Sequence, residues 1–302
     1  MGEPPSDPPR HSRETRSDRW TIGELLNWTT SRLEELGVTE ARTDAQHLLA
    51  HALGCSRMDL YVRFHELLSP EQRAGFRDLV KRRLAREPVA YIEGKRGFHA
   101  LDLELGVDRR ALIPRADTEV LVDWVLEGAT ADASLKVVDV GTGSGALALS
   151  LKHSCPAWSV TACDISTEAL ALARENAALH SLEVDFVESD LLSDVASPAG
   201  GWDLIVANLP YIPSQDIESL APEVRAYEPR LALDGGPDGL DLIRRLMPQT
   251  LCGGVLAPRG VVYLEFGIHQ ADDVTSLVRD VGLSCQLRDD LAGIPRVARV
   301  TR

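Results

Sequence analysis

The run Val137-Val138-Asp139-Val140-Gly141-Thr142-Gly143-Ser144-Gly145 has the composition of a buried strand that breaks into a glycine-rich turn, and a helix over 146–151 is expected to follow. Such a turn lets the backbone bend tightly and admits a ligand where a Cβ would stand in the way. Gly141, Gly143 and Ala146 satisfy the spacing G-x-G-x-x-G/A, which serves both dinucleotides and S-adenosylmethionine, so the glycines alone leave both cofactors open. Asp139 separates them. A carboxylate at the strand end repels a pyrophosphate, whereas it attracts the ammonium or sulfonium end of S-adenosylmethionine, directly or through water. Thr142 and Ser144 complete the expected loop. Asp164, at the end of the next strand, is placed to accept hydrogen bonds from ribose hydroxyls. Asp190, after the third strand, is expected beside the adenine, with Ile165 and Leu191 as apolar faces.

A fourth strand, Leu204-Ile205-Val206-Ala207, runs into Asn208-Leu209-Pro210-Tyr211. The tetrapeptide resembles the N-P-P-Y loop of methyltransferases that modify planar nitrogens, either exocyclic amines of bases or glutamine side-chain amides. With leucine in second place, it looks like the N-L-P-Y form of ribosomal-RNA adenine dimethyltransferases. An amide nitrogen is a poor nucleophile because its lone pair is delocalised into the carbonyl. The Asn208 side-chain oxygen and the Leu209 main-chain carbonyl would each take one N–H, orienting the nitrogen and stabilising charge that develops on it. Tyr211 is expected to stack on the planar group or wall the pocket, and Pro210 to stiffen the turn. No dedicated general base is needed, because the methylated nitrogen is acidic enough to lose its proton to water. Asn208, at the junction of strand and loop, belongs to the expected cofactor set as well.

These loops need a frame. Strand-like runs at 136–140, 159–163, 183–187, 202–207 and 260–266 alternate with helical stretches such as 145–151 and 167–179. That alternation predicts a doubly wound, mostly parallel sheet with its chemistry in the loops after the strands. Residues 20–90 instead repeat apolar positions every three or four, broken by Gly37, Gly54 and Pro70, which predicts a small helical domain of three helices. Its third helix carries Arg73, Arg77, Lys81, Arg82, Arg83 and Arg86, either a solvated face or a docking surface for an acidic partner. Between 91 and 114 the period changes to two, with Leu101, Leu103, Leu105 and Val107 alternating, as in a hairpin or extended linker. Residues 1–19, rich in Pro, Ser, Arg and Glu, read as a disordered tail, leaving 115–302 as the sheet domain.

Four further segments resemble the release factor glutamine methyltransferases. They are Pro88-Val89-Ala90-Tyr91-Ile92-Glu93-Gly94 followed by Phe98; Leu112-Ile113-Pro114-Arg115-Ala116-Asp117-Thr118-Glu119; the run from Pro222 to Arg230 that continues through Gly235-Gly236-Pro237-Asp238-Gly239-Leu240; and Leu264-Glu265-Phe266-Gly267 with Gln270, followed by 290–297. The resemblance covers about 20–302. It implies a helical substrate-recognition domain, a hairpin, and a Rossmann-like methyltransferase domain with a seven-stranded sheet. It also implies methyl transfer from S-adenosylmethionine to the glutamine of the Gly-Gly-Gln tip of class I peptide release factors, which the helical domain would hold. Arg115 and Glu119 are expected to shape the cleft, to link the domains, or to form an interdomain ion pair or helix cap.

Composition limits the alternatives. The 302 residues carry 32 Lys and Arg against 46 Asp and Glu, a net charge of −14, which disfavours extended contact with nucleic acid. An adenine methyltransferase of RNA or DNA would need a basic surface around its cleft. A non-catalytic protein keeping the fold is the other rival, motivated by Leu209. The five cysteines never form a C-x-x-C pair, which points to reduced thiols in a cytoplasmic protein without a metal site. His47 and His51 are four apart, but Leu48 stands where a zinc-protease motif needs glutamate. No apolar run reaches the roughly 18 residues that a membrane helix needs, and a monomer is expected.

Overall fold

In the computed structural model, which describes residues 19–129 and 134–302, the helices of the amino-terminal unit are set by their ends. Helix α1 (Ile22–Glu35) starts at Thr21, whose hydroxyl accepts the Glu24 N–H while the Glu24 carboxylate accepts the Thr21 N–H at 2.8 Å. Helix α2 (Ala41–Leu53) stops at Gly54, where φ is +61°. The same reciprocal cap joins Ser56 to Asp59 at α3 (Arg57–Val62) and Ser69 to Gln72 at α4 (Pro70–Leu84). Each cap satisfies donors that a helix start leaves open. Helix α5 (Val89–Glu93) completes the unit. Its core is the apolar stripe Ile22, Leu26, Leu48, Leu49, Leu60, Phe76, Val80 and Ile92. The three-helix expectation omits α3 and α5, whose six and five residues are too short to show a helical period.

The basic stripe of α4 is not one uniform face. Arg83 turns inward, its side chain 5% exposed, and pairs with Asp44 across 2.7 Å. Arg82 holds Glu87 with two bonds of 2.8 Å, and Arg86 donates to the Leu36 carbonyl at 2.9 Å. Arg83→Ala would take this partner from the Asp44 carboxylate, and the expected loss is about 3–5 kcal/mol of the helical unit's stability. Urea unfolding of the full chain, followed by helical circular dichroism, measures it. A loss below about 1 kcal/mol would show that the pair is solvated and weak.

The chain divides into units Met1–Glu93 and Gly94–Arg302. The second begins with an antiparallel hairpin, β1 (Lys95–Phe98) and β2 (Ala100–Gly106). Then come α6 (Glu119–Gly128), β3 (Lys136–Val140), α7 (Ala146–Ser154), β4 (Ser159–Asp164), α8 (Thr167–Leu179), β5 (Asp185–Glu188), β6 (Trp202–Asn208), α9 (Pro222–Tyr227), α10 (Asp241–Leu251), β7 (Leu256–Glu265), α11 (Ala271–Asp280), β8 (Ser284–Asp289) and β9 (Pro295–Thr301). The seven-stranded sheet has the order β5-β4-β3-β6-β7-β9-β8, parallel from β5 to β7, with β9 antiparallel to both its neighbours.

Both faces of the sheet are covered, so its central strands are apolar throughout. Val138, Val140, Ile205 and Ala207 pack with Ile243, Leu246, Val274 and Val278. On the other face, Val137, Leu204 and Val206 pack with Leu121, Val125, Leu147 and Leu151. Each such side chain, buried completely, contributes about 1.5–3 kcal/mol. Strand order reverses at β3, between β4 and β6, and that reversal opens a crevice at the carboxyl ends of the strands.

Boundaries differ from the sequence reading where a period is interrupted. Tyr91 and Ile92 are buried in α5, so the expected 91–114 joint is not one element. Strand β5 begins at Asp185 rather than 183. Strand β7 begins at Leu256 rather than 260, because Pro258 and Arg259 disguise its first residues. The expected tail, apart from Arg19, lies outside the described residues. Among those residues no helix is long and apolar enough to cross a membrane.

Candidate active site

A cavity of about 250 Å³ opens where β3, β4 and β6 end. Of the residues singled out from the sequence, Gly141, Thr142, Gly143, Ser144, Asp164, Ile165, Asp190, Leu191, Asn208, Leu209 and Pro210 line it. Asp139, Gly145 and Tyr211 are not among its lining residues.

The glycine loop forms as a strand-ending turn because Gly141 and Thr142 both donate their N–H to the Cys163 carbonyl, at 2.8 and 3.0 Å. Gly141 has φ +75°, and a Cβ there would stand 2.9 Å from Leu209 Cδ2. The residue type is thus required twice, by backbone conformation and by close approach of the second loop. Gly145, with φ +87°, is the residue before α7 and packs beneath the loop, 3.1 Å from Leu149 to the position of a Cβ.

Asp139 corrects an expectation. Alternation along β3 puts it on the same face as Val137, beneath α7, and it is fully buried. Its Oδ2 accepts from the Thr142 hydroxyl at 2.6 Å and from the Ala148 N–H at 3.2 Å, so this oxygen clasps the loop to the helix. Burial pushes its pKa from 3.8 to about 7, against those two hydrogen bonds, and Asp164 nearby adds to the rise. Its Oδ1 is buried without a partner.

Asp164 stands at the end of β4. Its Oδ2 accepts the Gly143 N–H and its Oδ1 the Ser166 N–H, both at 2.9 Å. A carboxylate offers about four acceptor positions, so these bonds do not exhaust it. Burial raises its pKa, while backbone donors at Ser166, Gly143 and Ile165 oppose the rise. Asp190 is paired with Arg245 at 2.5 Å, and both line the cavity; the arginine was not anticipated from the sequence. Leu191, next along, has φ +55° and is buried, while Ile165 is 52% exposed.

Asn208 ends β6. Its Nδ2 donates to the Thr118 hydroxyl at 2.9 Å. Among the described residues, no donor reaches Asn208 Oδ1 or the Leu209 carbonyl. Leu209 is buried, its side chain seated over Gly141. Tyr211 departs from expectation: it is not among the lining residues of the cavity, and its hydroxyl donates to Glu265 Oε1 at 3.4 Å. Its own carbonyl accepts from Gln270 Nε2 at 3.0 Å, and Gln270 Oε1 accepts the Gly267 N–H at 2.7 Å, which pins the loop from behind. Arg115 lines the cavity and is held by Glu228, whose side chain is 1% exposed and also accepts the Ile113 N–H. It is thus an ion pair within the second unit. Thr118, Glu265 and Gln270 all lie in segments that carry the family resemblance, but the spacing gave none of them a role.

Glu265 is 2% exposed, and burial pushes its pKa from 4.5 to about 7, against the Thr118 hydroxyl and the Arg296 charge. A folded-state pKa above the unfolded one means that its contribution to stability is full below about pH 4.5 and lost as pH rises through 7. Glu265→Gln cannot ionise. Its stability relative to the parent chain is expected to improve by on the order of 2–3 kcal/mol between pH 5 and pH 8. Urea titrations of both chains at the two pH values check this; a difference that does not change with pH would refute the buried, proton-holding carboxyl.

The fold and cavity define a Rossmann-like methyltransferase: a glycine loop after β3, an acidic residue after β4 and a polar loop after β6, on a sheet with an antiparallel end. Residues 117–224 match the family model of the methyltransferase small domain, and residues 24–94 that of the PrmC N-terminal domain. A release factor glutamine methyltransferase of Geobacter sulfurreducens is 43% identical over 279 residues, covering 92% of this chain and 95% of that protein. One from Deinococcus radiodurans is 41% identical over 281 residues, covering 93% and 98%. The chain belongs to the release factor glutamine methyltransferase family. Among solved structures, the hMettl16 catalytic domain in complex with an RNA hairpin matches with a TM-score of 0.51 and 17% identity over 65% of this chain and 74% of that one, a likeness of fold alone.

Proposed function

We propose that this chain methylates the side-chain nitrogen (N5) of the glutamine in the Gly-Gly-Gln tip of class I peptide release factors, using S-adenosylmethionine. The observation that carries the reading is the pair of unspent acceptors, Asn208 Oδ1 and the Leu209 carbonyl, beside a glycine cradle at the same cavity. The names of the relatives at 43% and 41% identity supply the substrate class.

The residues present fit the cofactor. Gly141 to Ser144 offer a wall without side-chain bulk at the glycines, Asp164 keeps acceptor capacity for a ribose hydroxyl, and Asp190 with Leu191 borders the space proposed for adenine. The fit differs from the sequence expectation at Asp139, which would act through the loop it clasps. Bound S-adenosylmethionine supplies an electrophilic methyl group.

The chain supplies orientation. Asn208 Oδ1 and the Leu209 carbonyl take the two N–H groups of the glutamine carboxamide, turning its nitrogen toward the donor. Both oxygens strengthen their hold as positive charge develops on nitrogen, which is where stabilisation counts for rate. The nitrogen then loses one proton to water. Tyr211 and Pro210 act by holding the loop. The helical unit is proposed to hold the release factor, and the acidic balance of the chain argues against direct contact with nucleic acid. The site of action is proposed to be the cytoplasm.

The test is incubation of a class I release factor with the protein and labelled methyl donor, followed by mass spectrometry of the Gly-Gly-Gln peptide. One added methyl on the glutamine is expected. Label on RNA with none on the release factor would overturn the reading.

A further inference from the structure

An asparagine carboxamide has an acceptor end and a donor end of nearly the same shape. Asn208 can serve a glutamine N–H only with its oxygen toward the cavity; the reversed amide would set N–H against N–H. Something must therefore choose between the two orientations.

Three observations converge on Thr118. Its hydroxyl lies 2.9 Å from Asn208 Nδ2, across 90 residues of sequence. It ends the 3-10 turn Ala116–Thr118 that runs into α6, and its hydroxyl is not spent on a capping bond. It is also 4% exposed, so its hydroxyl hydrogen has no ready access to water. A hydroxyl can donate to the Asn208 oxygen or accept from the Asn208 nitrogen with similar ease, so the neighbour that claims its hydrogen decides.

That neighbour is Glu265. Parallel pairing of β6 with β7 puts Asn208 and Glu265 in register. Glu265 is buried at the end of its strand, and its Oε2 lacks a hydrogen-bond partner. Asn208 therefore has the Thr118 hydroxyl within 2.9 Å and Glu265 opposite it on the neighbouring strand, and Thr118 opposes the rise that burial gives this carboxyl. Tyr211 approaches the other oxygen at 3.4 Å. In its ionised form the buried carboxyl only accepts, and an unmatched one is costly, so in that form it draws the Thr118 hydrogen.

We infer that Thr118 is a positioning residue for the transfer: by giving its hydroxyl hydrogen to Glu265 and accepting from Asn208 Nδ2, it fixes the Asn208 oxygen toward the substrate. This rests on the proposed glutamine methylation and assigns that site a positioning residue. Thr118 lies on the wall of the same cavity, and its role is exerted through Asn208. Removing its hydroxyl frees the Asn208 amide to turn over.

The experiment compares the parent chain with Thr118→Val, Thr118→Ser and the double variant Asn208→Ala/Thr118→Val, using a release factor as substrate and calorimetry for S-adenosylmethionine. Thr118→Val is expected to lower kcat by about 10–100-fold, with the cofactor Kd changed by less than about threefold. Thr118→Ser is expected to recover kcat to within about threefold of the parent, and the double variant to be no slower than Asn208→Ala alone. Thr118→Ala gives a second comparison should the valine variant unfold. Parental kcat in Thr118→Val, a serine variant as slow as the valine one, or additive losses in the double variant would each overturn the inference while leaving glutamine methylation standing. A parent chain that transfers no methyl to glutamine would overturn both.

Discussion

Asn208→Ala is expected to lower kcat for methyl transfer by about 10²–10³-fold while the Kd for S-adenosylmethionine stays within about threefold of the parent. The asymmetry follows from where the side chain works. Its Nδ2 is occupied by Thr118, leaving Oδ1 as the atom offered to a substrate. The hydrogen bond it makes to a carboxamide strengthens as the nitrogen becomes cationic, so its loss falls mainly on the barrier. The cofactor retains the glycine loop, Asp164 and the Leu191 face. Single-turnover rates with saturating cofactor, beside calorimetric titration, separate the two effects. Unchanged turnover would remove Asn208 from the chemistry, and a rate loss matched by an equal loss of cofactor affinity would reassign it to binding.

Asp164→Ala is expected to do the reverse, raising the cofactor Kd by about 10–100-fold. Two causes add. The carboxylate supplies the proposed ribose acceptors, and it also holds the N–H groups of Gly143 and Ser166 at 2.9 Å, so alanine loosens the loop as well as the ligand. Asp164→Asn separates the two causes, since an amide keeps one acceptor but exchanges the other for a donor facing a backbone N–H. Its Kd is expected to lie between those of the parent and the alanine variant. An unaltered Kd in Asp164→Ala, measured by calorimetry, would overturn the assignment.

The cofactor half of this site was legible because its signals are local. A strand, a glycine turn and a helix follow one another within twenty residues, and an acidic residue ends the next strand. Asp139 was legible as a residue but not as a role: the strand end gives its place, whereas alternation along β3 puts it on the face of Val137 and α7. Tyr211 misled for a different reason. A tyrosine beside a substrate loop has two directions open to it, and what claims its hydroxyl is Glu265, on another strand.

The connection between Asn208, Thr118 and Glu265 lay outside local reasoning. It exists only because β6 and β7 pair in parallel with Asn208 opposite Glu265, and because the residue before α6 comes up beside them. Spacing within a segment carries neither fact. Helices α3 and α5 escaped for want of length, although Ser56 and Asp59 already had the spacing of a capping box.

Two oxygens are at stake in a crystal structure of the protein with S-adenosylhomocysteine and a peptide containing Gly-Gly-Gln. The glutamine nitrogen is expected within about 2.7–3.2 Å of both Asn208 Oδ1 and the Leu209 carbonyl, with its free side toward the sulfur. A glutamine seated elsewhere, or either oxygen bonded to a protein donor with the peptide in place, would contradict it.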